Sequence, residues 1–201
     1  MREFEDQAKE SGYGWIAGID EAGRGPLAGP VVSASVILPE KFSDPAVVDS
    51  KKITPAGREK LYQKIFDNAL HVGVGVAHPD EIDRVNILRA SLNSMKRSCQ
   101  NLGRMPDYLL IDGKFGVDLP IDQISLVKGE SRSISIAAAS IVAKVTRDRM
   151  MAQFHEQYPV YGFDRHKGYP TKLHKERILN NGPCPIHRKT FKGVREVLDA
   201  E

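Results

Sequence analysis

Short apolar runs punctuated by glycine fill the first part of the chain. The first, Trp15-Ile16-Ala17-Gly18-Ile19, runs straight into Asp20 and Glu21 and then into Ala22-Gly23-Arg24-Gly25. An apolar run of that kind bounded by glycines predicts a buried strand. Successive strand side chains point to opposite faces, so the two acids cannot hide in one core. Pro26 to Pro30 predicts a turn, and the β-branched stretch Val31 to Leu38 predicts a second strand, antiparallel to the first. After a loop from Pro39 to Lys52, Thr54-Pro55 has the form of an N-cap and first helical residue. The helix it opens reaches about Leu70, with Leu61, Ile65 and Leu70 near one face. His71 to Ala77 alternates as a third strand should, and one helix starts at His78-Pro79-Asp80 and closes near Asn101-Leu102-Gly103.

Tyr108 to Asp112 predicts a fourth strand, again apolar and again ending in an acid followed by glycine. A fifth, Gln123 to Val127, leads through Lys128-Gly129-Glu130 into a long helix from near Ser131 to about Gln157. Its small-residue stretch Ile136 to Ala143 suits close packing on a sheet, and Glu130 lies just before its amino end, where the helix dipole favours negative charge. Beyond Tyr158-Pro159 come a basic loop, His166 to Pro170, a helix capped by Thr171 and running to about Asn180, and one more short helix, Phe191 to Leu198. Residues 1–14 form a short helix or a loose tail. The order of elements implies one mixed-sheet α/β domain over 1–201, with a core at about 14–160 and a helical, basic carboxyl segment at about 161–201.

Composition narrows this picture without redirecting it. At 201 residues, 41% hydrophobic and 27% charged, the chain has the makeup of an ordinary globular protein with one full core. No run approaches the roughly 18 apolar residues of a membrane span, and the acidic start is unlike a secretory signal, so a cytoplasmic protein is expected. Cys99 and Cys184 form neither a metal-ligand pair nor a disulfide framework. Net charge is only +3, but basic residues outnumber acidic ones from Lys128 to Arg195. A basic segment beside a cluster of acids suits an enzyme that cleaves a polyanion; a solvated basic helix face is the alternative.

Asp20, Glu21, Asp112 and Glu130 are the candidate catalytic residues, four carboxylates on three separate segments. If they converge, mutual repulsion raises their proton affinities unless a divalent cation neutralises them. All-oxygen ligation selects Mg²⁺ or Mn²⁺ over Zn²⁺. Two such ions about 4 Å apart can activate a water and stabilise the leaving oxygen of a phosphodiester. Asp148, in Thr146-Arg147-Asp148-Arg149, is a rival acid for which a helical ion pair is the expected role.

Five motifs, in order, resemble those of bacterial ribonuclease HII: Gly18 to Pro30, Asp49-Ser50-Lys51-Lys52, Ile111-Asp112-Gly113, Ser135 to Lys144, and His166-Lys167-Gly168-Tyr169. The resemblance implies a ribonuclease H-like fold and a cytoplasmic, Mg²⁺- or Mn²⁺-dependent endonuclease acting on the RNA strand of RNA/DNA hybrids. It also implies nicking 5′ of ribonucleotides embedded in duplex DNA, leaving 3′-hydroxyl and 5′-phosphate ends, with roles in ribonucleotide excision repair and RNA primer removal. By the same resemblance Asp20, Glu21 and Asp112 are metal ligands. The fourth ligand falls at Glu130, where the family commonly carries aspartate. A reader of the RNA-to-DNA junction maps to Gly23, Arg24, Gly25 and Tyr169. Ser50 and Lys51 are expected on phosphate near the cut, and Lys167, His187, Arg188 and Lys189 on the duplex backbone. A monomer is expected, with replication or repair partners unspecified. The alternatives are a related two-metal nuclease with another substrate and a hybrid-binding module without catalysis.

Overall fold

The structure, a computed structural model, describes residues 1–47, 50 and 53–200. Its centre is a five-stranded sheet of β1 (Ile16–Ala22), β2 (Val31–Ile37), β3 (His71–Ala77), β4 (Tyr108–Asp112) and β5 (Asp122–Leu126), in the order β3-β2-β1-β4-β5. The turn at Pro26 to Pro30 makes β1 and β2 antiparallel, and β2 pairs β3 in the same sense. Longer connections bring β4 beside β1 and β5 beside β4 in parallel. The sheet is therefore mixed, as the element order predicts. β1 continues through both acids to Ala22, further than its apolar run indicates.

Helices cover both faces. On one lies α5 (Ile134–Gln157), whose Ala137, Ala138, Ile141 and Val142 pack with Ala34 and Val36 of the sheet and with Leu61 and Ile65 of α2 (Pro55–Asn68). On the other lies α4 (Ile87–Gln100), with Met95 and Cys99 against Ala17, Ile19, Leu109 and Ile111. Small residues permit close contact on each side. A Cβ on Gly18 would fall 2.1 Å from the Ser135 carbonyl carbon, so only glycine lets the amino end of α5 approach β1 this closely. Across the sheet, buried hydroxyl pairs Ser33–Ser94 and Ser35–Ser98, at 2.5 and 2.6 Å, satisfy the polar groups between β2 and α4.

The helix expected to run unbroken from Pro79 divides in two. α3 (Pro79–Val85) ends at Asn86, which takes φ 71° and caps α4 by accepting from the Leu88 and Arg89 N–H groups. Hydrophobic spacing carries across the break because Ile82 and Ala90 pack in one cluster. α5 starts at Ile134, capped by Ser133, and Glu130 sits in a separate 3₁₀ turn, Gly129–Ser131. The expected basic loop contains one turn of helix, α6 (Phe163–His166), between left-handed Gly162 and Lys167. α1 (Glu3–Glu10), α7 (Lys172–Asn181) and α8 (Arg195–Leu198) complete the fold, α8 being shorter than the Phe191 to Leu198 segment suggests. No helix among the described residues is long and apolar enough to cross a membrane.

Candidate active site

Register brings the acids together. β1 and β4 run parallel with Ile19 opposite Ile111, so the next residues, Asp20 and Asp112, lie side by side on adjacent strands. Strand alternation puts both on the face of Ile16 and Leu110, which packs against Ile136 at the start of α5. The turn leading into that helix adds the third segment, since the Gly129 N–H donates to Asp112 Oδ1 at 2.7 Å and brings Glu130 to the same corner. Glu21 closes the group from the other pleat of β1; its own N–H donates to Asp20 Oδ1 at 2.6 Å.

Confinement of four carboxylates has the expected electrostatic result. Burial, then the charges of Glu21 and Asp112, holds the Asp20 carboxyl well above the ordinary range for aspartate, against an opposing pull from the Glu21 N–H. Asp112 is pushed up to about 7 by burial first and by its hydrogen bond with Glu130 second, with the Gly129 N–H acting in the opposite direction. Glu130 Oε2 is buried with no hydrogen-bond partner. A carboxylate oxygen shut off from water costs free energy unless a positive charge faces it. An all-oxygen donor set, two carboxyls driven toward protonation and an orphaned acceptor together fit a hard divalent cation. As placed, no three carboxylate, imidazole or thiol groups among the described residues are disposed to hold one ion together. Glu21 pairs with Arg24, Oε1 to Nη1 at 3.2 Å.

A cleft of about 230 Å³ opens over Asp20, Glu21 and Asp112; Glu130 is not among the residues that line it. Asp20, Glu21, Asp112, the Gly23–Gly25 loop, Ser50 and Tyr169 all line it. Two further residues, Ser140 and Lys144, enter from α5 one turn apart. Both were visible in the sequence only as part of a helix motif; their i, i+4 spacing on one helix face was the available signal. Lys144 pairs with Asp148 at 2.5 Å, which gives Asp148 the helical ion pair expected of it. Tyr169 is exposed, and its ring edge would lie 3.8 Å from a Cβ on Gly25, so ring and glycine loop face one another across the cleft. Lys51, with Asp49 and Lys52, lies outside the described residues.

Ribonuclease HII is the description of the family model that matches residues 17–194. The chain belongs to the ribonuclease HII family. The ribonuclease HII of Geobacter sulfurreducens is 57% identical over 98% of this chain and 90% of its own length. That of Bacillus cereus is 50% identical over 98% of this chain and 77% of its own. The crystal structure of ribonuclease H2 from Pyrococcus horikoshii superposes with a TM-score of 0.77 at 29% identity, covering 92% of this chain and 97% of that one. The chain is thus an endonuclease of the ribonuclease H type, for which RNA/DNA hybrid is the substrate class.

Two expected substrate contacts are corrected by burial. His187 and Arg188 are 1% and 0% exposed, so neither can reach a duplex backbone. A basic side chain in a polar segment reads as a surface group unless its backbone partners are known. Arg188 donates from Nε to Gly29 O (3.0 Å), from Nη1 to Arg24 O (2.9 Å) and from Nη2 to Gly23 O (2.5 Å). Arg147, unnoticed in the sequence except as a neighbour of Asp148, is also buried and donates to Pro30 O, Lys167 O and Ala28 O at 2.9 to 3.1 Å. Lys167 is half-buried and Lys189 is exposed.

Proposed function

We propose that this ribonuclease HII hydrolyses the RNA strand of hybrids and nicks 5′ of single ribonucleotides in duplex DNA, leaving 3′-hydroxyl and 5′-phosphate ends. Asp20, Glu21, Asp112 and Glu130 are the residues that would hold divalent ions, Mg²⁺ or Mn²⁺. When bound, such ions lower the pKa of a coordinated water and stabilise charge on the leaving oxygen. The chain's own contribution is to fix the four carboxylates. Parallel register sets Asp20 beside Asp112, and the Gly129 N–H orients Asp112 by bonding one of its oxygens.

In this reading the Gly23–Gly25 loop lies against the ribose, where absence of side chains lets backbone groups approach the 2′-hydroxyl. Arg24, released from Glu21, takes a phosphate, and the exposed Tyr169 ring packs on the following deoxyribose, where an added hydroxyl would collide. Ser50, Lys51, Lys167 and Lys189 hold phosphates of the duplex. Roles in ribonucleotide excision repair and RNA primer removal follow from that substrate choice.

The observation that carries the metal assignment is the orphaned Glu130 oxygen beside two carboxyls in strand register. Its test is thermal unfolding with and without Mn²⁺, alongside cleavage of a labelled hybrid. Mn²⁺ should raise Tm by several degrees in the wild type, and chelation should stop cleavage. Asp112→Asn should lose both the shift and the cleavage while still binding hybrid. Cleavage near the wild-type rate in Asp112→Asn would refute the assignment.

A further inference from the structure

The two halves of the proposed junction reader are far apart in sequence. The Gly23–Gly25 loop follows β1, whereas Tyr169 lies in the carboxyl segment after α6. The turn after the loop meets the residue before Tyr169 directly, Leu27 N–H donating to Gly168 O at 2.8 Å, and Arg147 bonds Ala28, Pro30 and Lys167; the segment 184–188 adds a further tie, bonded to the loop's own carbonyls and, through His174, to the Tyr169 carbonyl.

From Arg188 the contacts run to the loop. Its guanidinium is fully buried and spends its donors on the carbonyls of Gly23, Arg24 and Gly29, at 2.5, 2.9 and 3.0 Å. No carboxylate pairs with it among the described residues, and burial together with the charge of Arg147 presses its pKa down to about 9. A charge held at that cost by carbonyls and the face of the Phe191 ring has geometry to enforce, since a hydrophobic side chain of similar size would stabilise the core as well or better. With three carbonyls turned inward to the fork, the loop's remaining face is presented to the cleft.

From His187, the preceding residue, the contacts run to the tyrosine. The hydrogen-bond pattern assigns its tautomer: the Cys184 N–H donates to Nδ1 at 2.9 Å, so the proton is on Nε2. Nε2–H donates to His174 Nε2 at 3.1 Å, and His174 Nδ1–H donates to the Tyr169 carbonyl at 2.9 Å. All three groups of this chain are neutral, and both rings are buried at 1% exposure or less. The strand-like bridge of Ala28 with His187, and the Arg188 N–H donating to Leu27 O at 2.8 Å, lock the same segment to the turn after the glycine loop.

We propose that His187 and Arg188 are positioning residues that set the separation between the Gly23–Gly25 loop and Tyr169, and thereby the enzyme's preference for an RNA-to-DNA junction. The inference rests on the junction-reading role given to those residues above. It makes adjacent residues of the carboxyl segment into specificity determinants without any contact to nucleic acid.

The experiment compares kcat/KM on a duplex holding one ribonucleotide with kcat/KM on a continuous RNA/DNA hybrid. It uses wild type, Arg188→Lys, His187→Gln, Tyr169→Ala and the double variant Arg188→Lys/Tyr169→Ala. Lysine keeps the charge but cannot fork to three carbonyls. A misplaced reader should lower the junction preference about tenfold in Arg188→Lys and in His187→Gln. A purely structural loss scales both substrates together and leaves the ratio unchanged. In the Tyr169→Ala background, Arg188→Lys should change the ratio no further. Equal loss on both substrates, or full additivity in the double variant, overturns the inference. Should Arg188→Lys fail to fold, the ratio in His187→Gln decides by the same criterion. A wild type with no junction preference refutes the junction reading itself, and this inference with it; a wild-type preference kept intact in the variants refutes only the inference.

Discussion

In the proposed reading Glu130 is the residue on which the chemistry of this site turns. Its Oε2 is buried without a partner, and its charge raises the proton affinity of both Asp20 and Asp112. Removing that charge should relieve repulsion in the metal-free protein and weaken it as an enzyme. Glu130→Gln is therefore expected to raise Tm in the presence of chelator while lowering cleavage at least about tenfold, read by calorimetry and a hybrid-cleavage assay. Glu130→Asp, which restores the residue common in the family, should retain most activity; a dead Glu130→Asp beside an active Glu130→Gln would remove Glu130 from the ligand set. The acids were apparent in the sequence because each terminates or adjoins an apolar run. The buried arginines were not, because charge type alone does not report burial: Arg147 and Arg188 bond carbonyls of residues 23–30, more than a hundred positions away, and Arg147 also that of Lys167.

Between elements, the contact that aligns the acids is that of β1 with the amino end of α5. Gly18 makes it possible, and any side chain there meets the Ser135 backbone. Gly18→Ala should cost about 2–3 kcal/mol by forcing the helix away. Gly14→Ala, where an added Cβ would lie 3.7 Å from its nearest neighbour, should stay within about 0.5 kcal/mol. Urea unfolding of both variants checks this, and equal stability would show that the helix can shift without penalty. Five strands could be placed from period-two and β-branched runs, since those patterns depend on local sequence. The break at Asn86 could not, because apolar spacing continues through it and only the side-chain cap with φ 71° marks the boundary. Likewise the single helical turn Phe163–His166 is held by tertiary contacts around Phe163, not by propensity.

Over the whole molecule, the carboxyl segment closes on the sheet domain through neutral buried histidines. Burial, first among the causes, lowers His174 and His187 to about 4. An unfolded histidine titrates near 6.5, so the unfolded chain binds more protons than the folded one between about 6.5 and 4. Stability is then complete above pH 6.5 and falls as pH drops through that window. Between pH 7 and pH 5 the loss should be about 2 kcal/mol for each of these groups and about 4 kcal/mol for the two together, and His187→Gln should flatten the slope. A variant as pH-sensitive as wild type would contradict the assignment. This coupling of distant segments is invisible in sequence, where the same residues form only a basic stretch.

In the proposed function, four carboxylates and a glycine loop together cut where a ribose meets DNA. End mapping on a duplex with one ribonucleotide, with Mg²⁺, tests it most directly. The account predicts a single nick on the 5′ side of the ribonucleotide, leaving a 3′-hydroxyl and a 5′-phosphate, with an all-DNA duplex untouched. No nick at the ribonucleotide, or equal cutting of the all-DNA duplex, would contradict it.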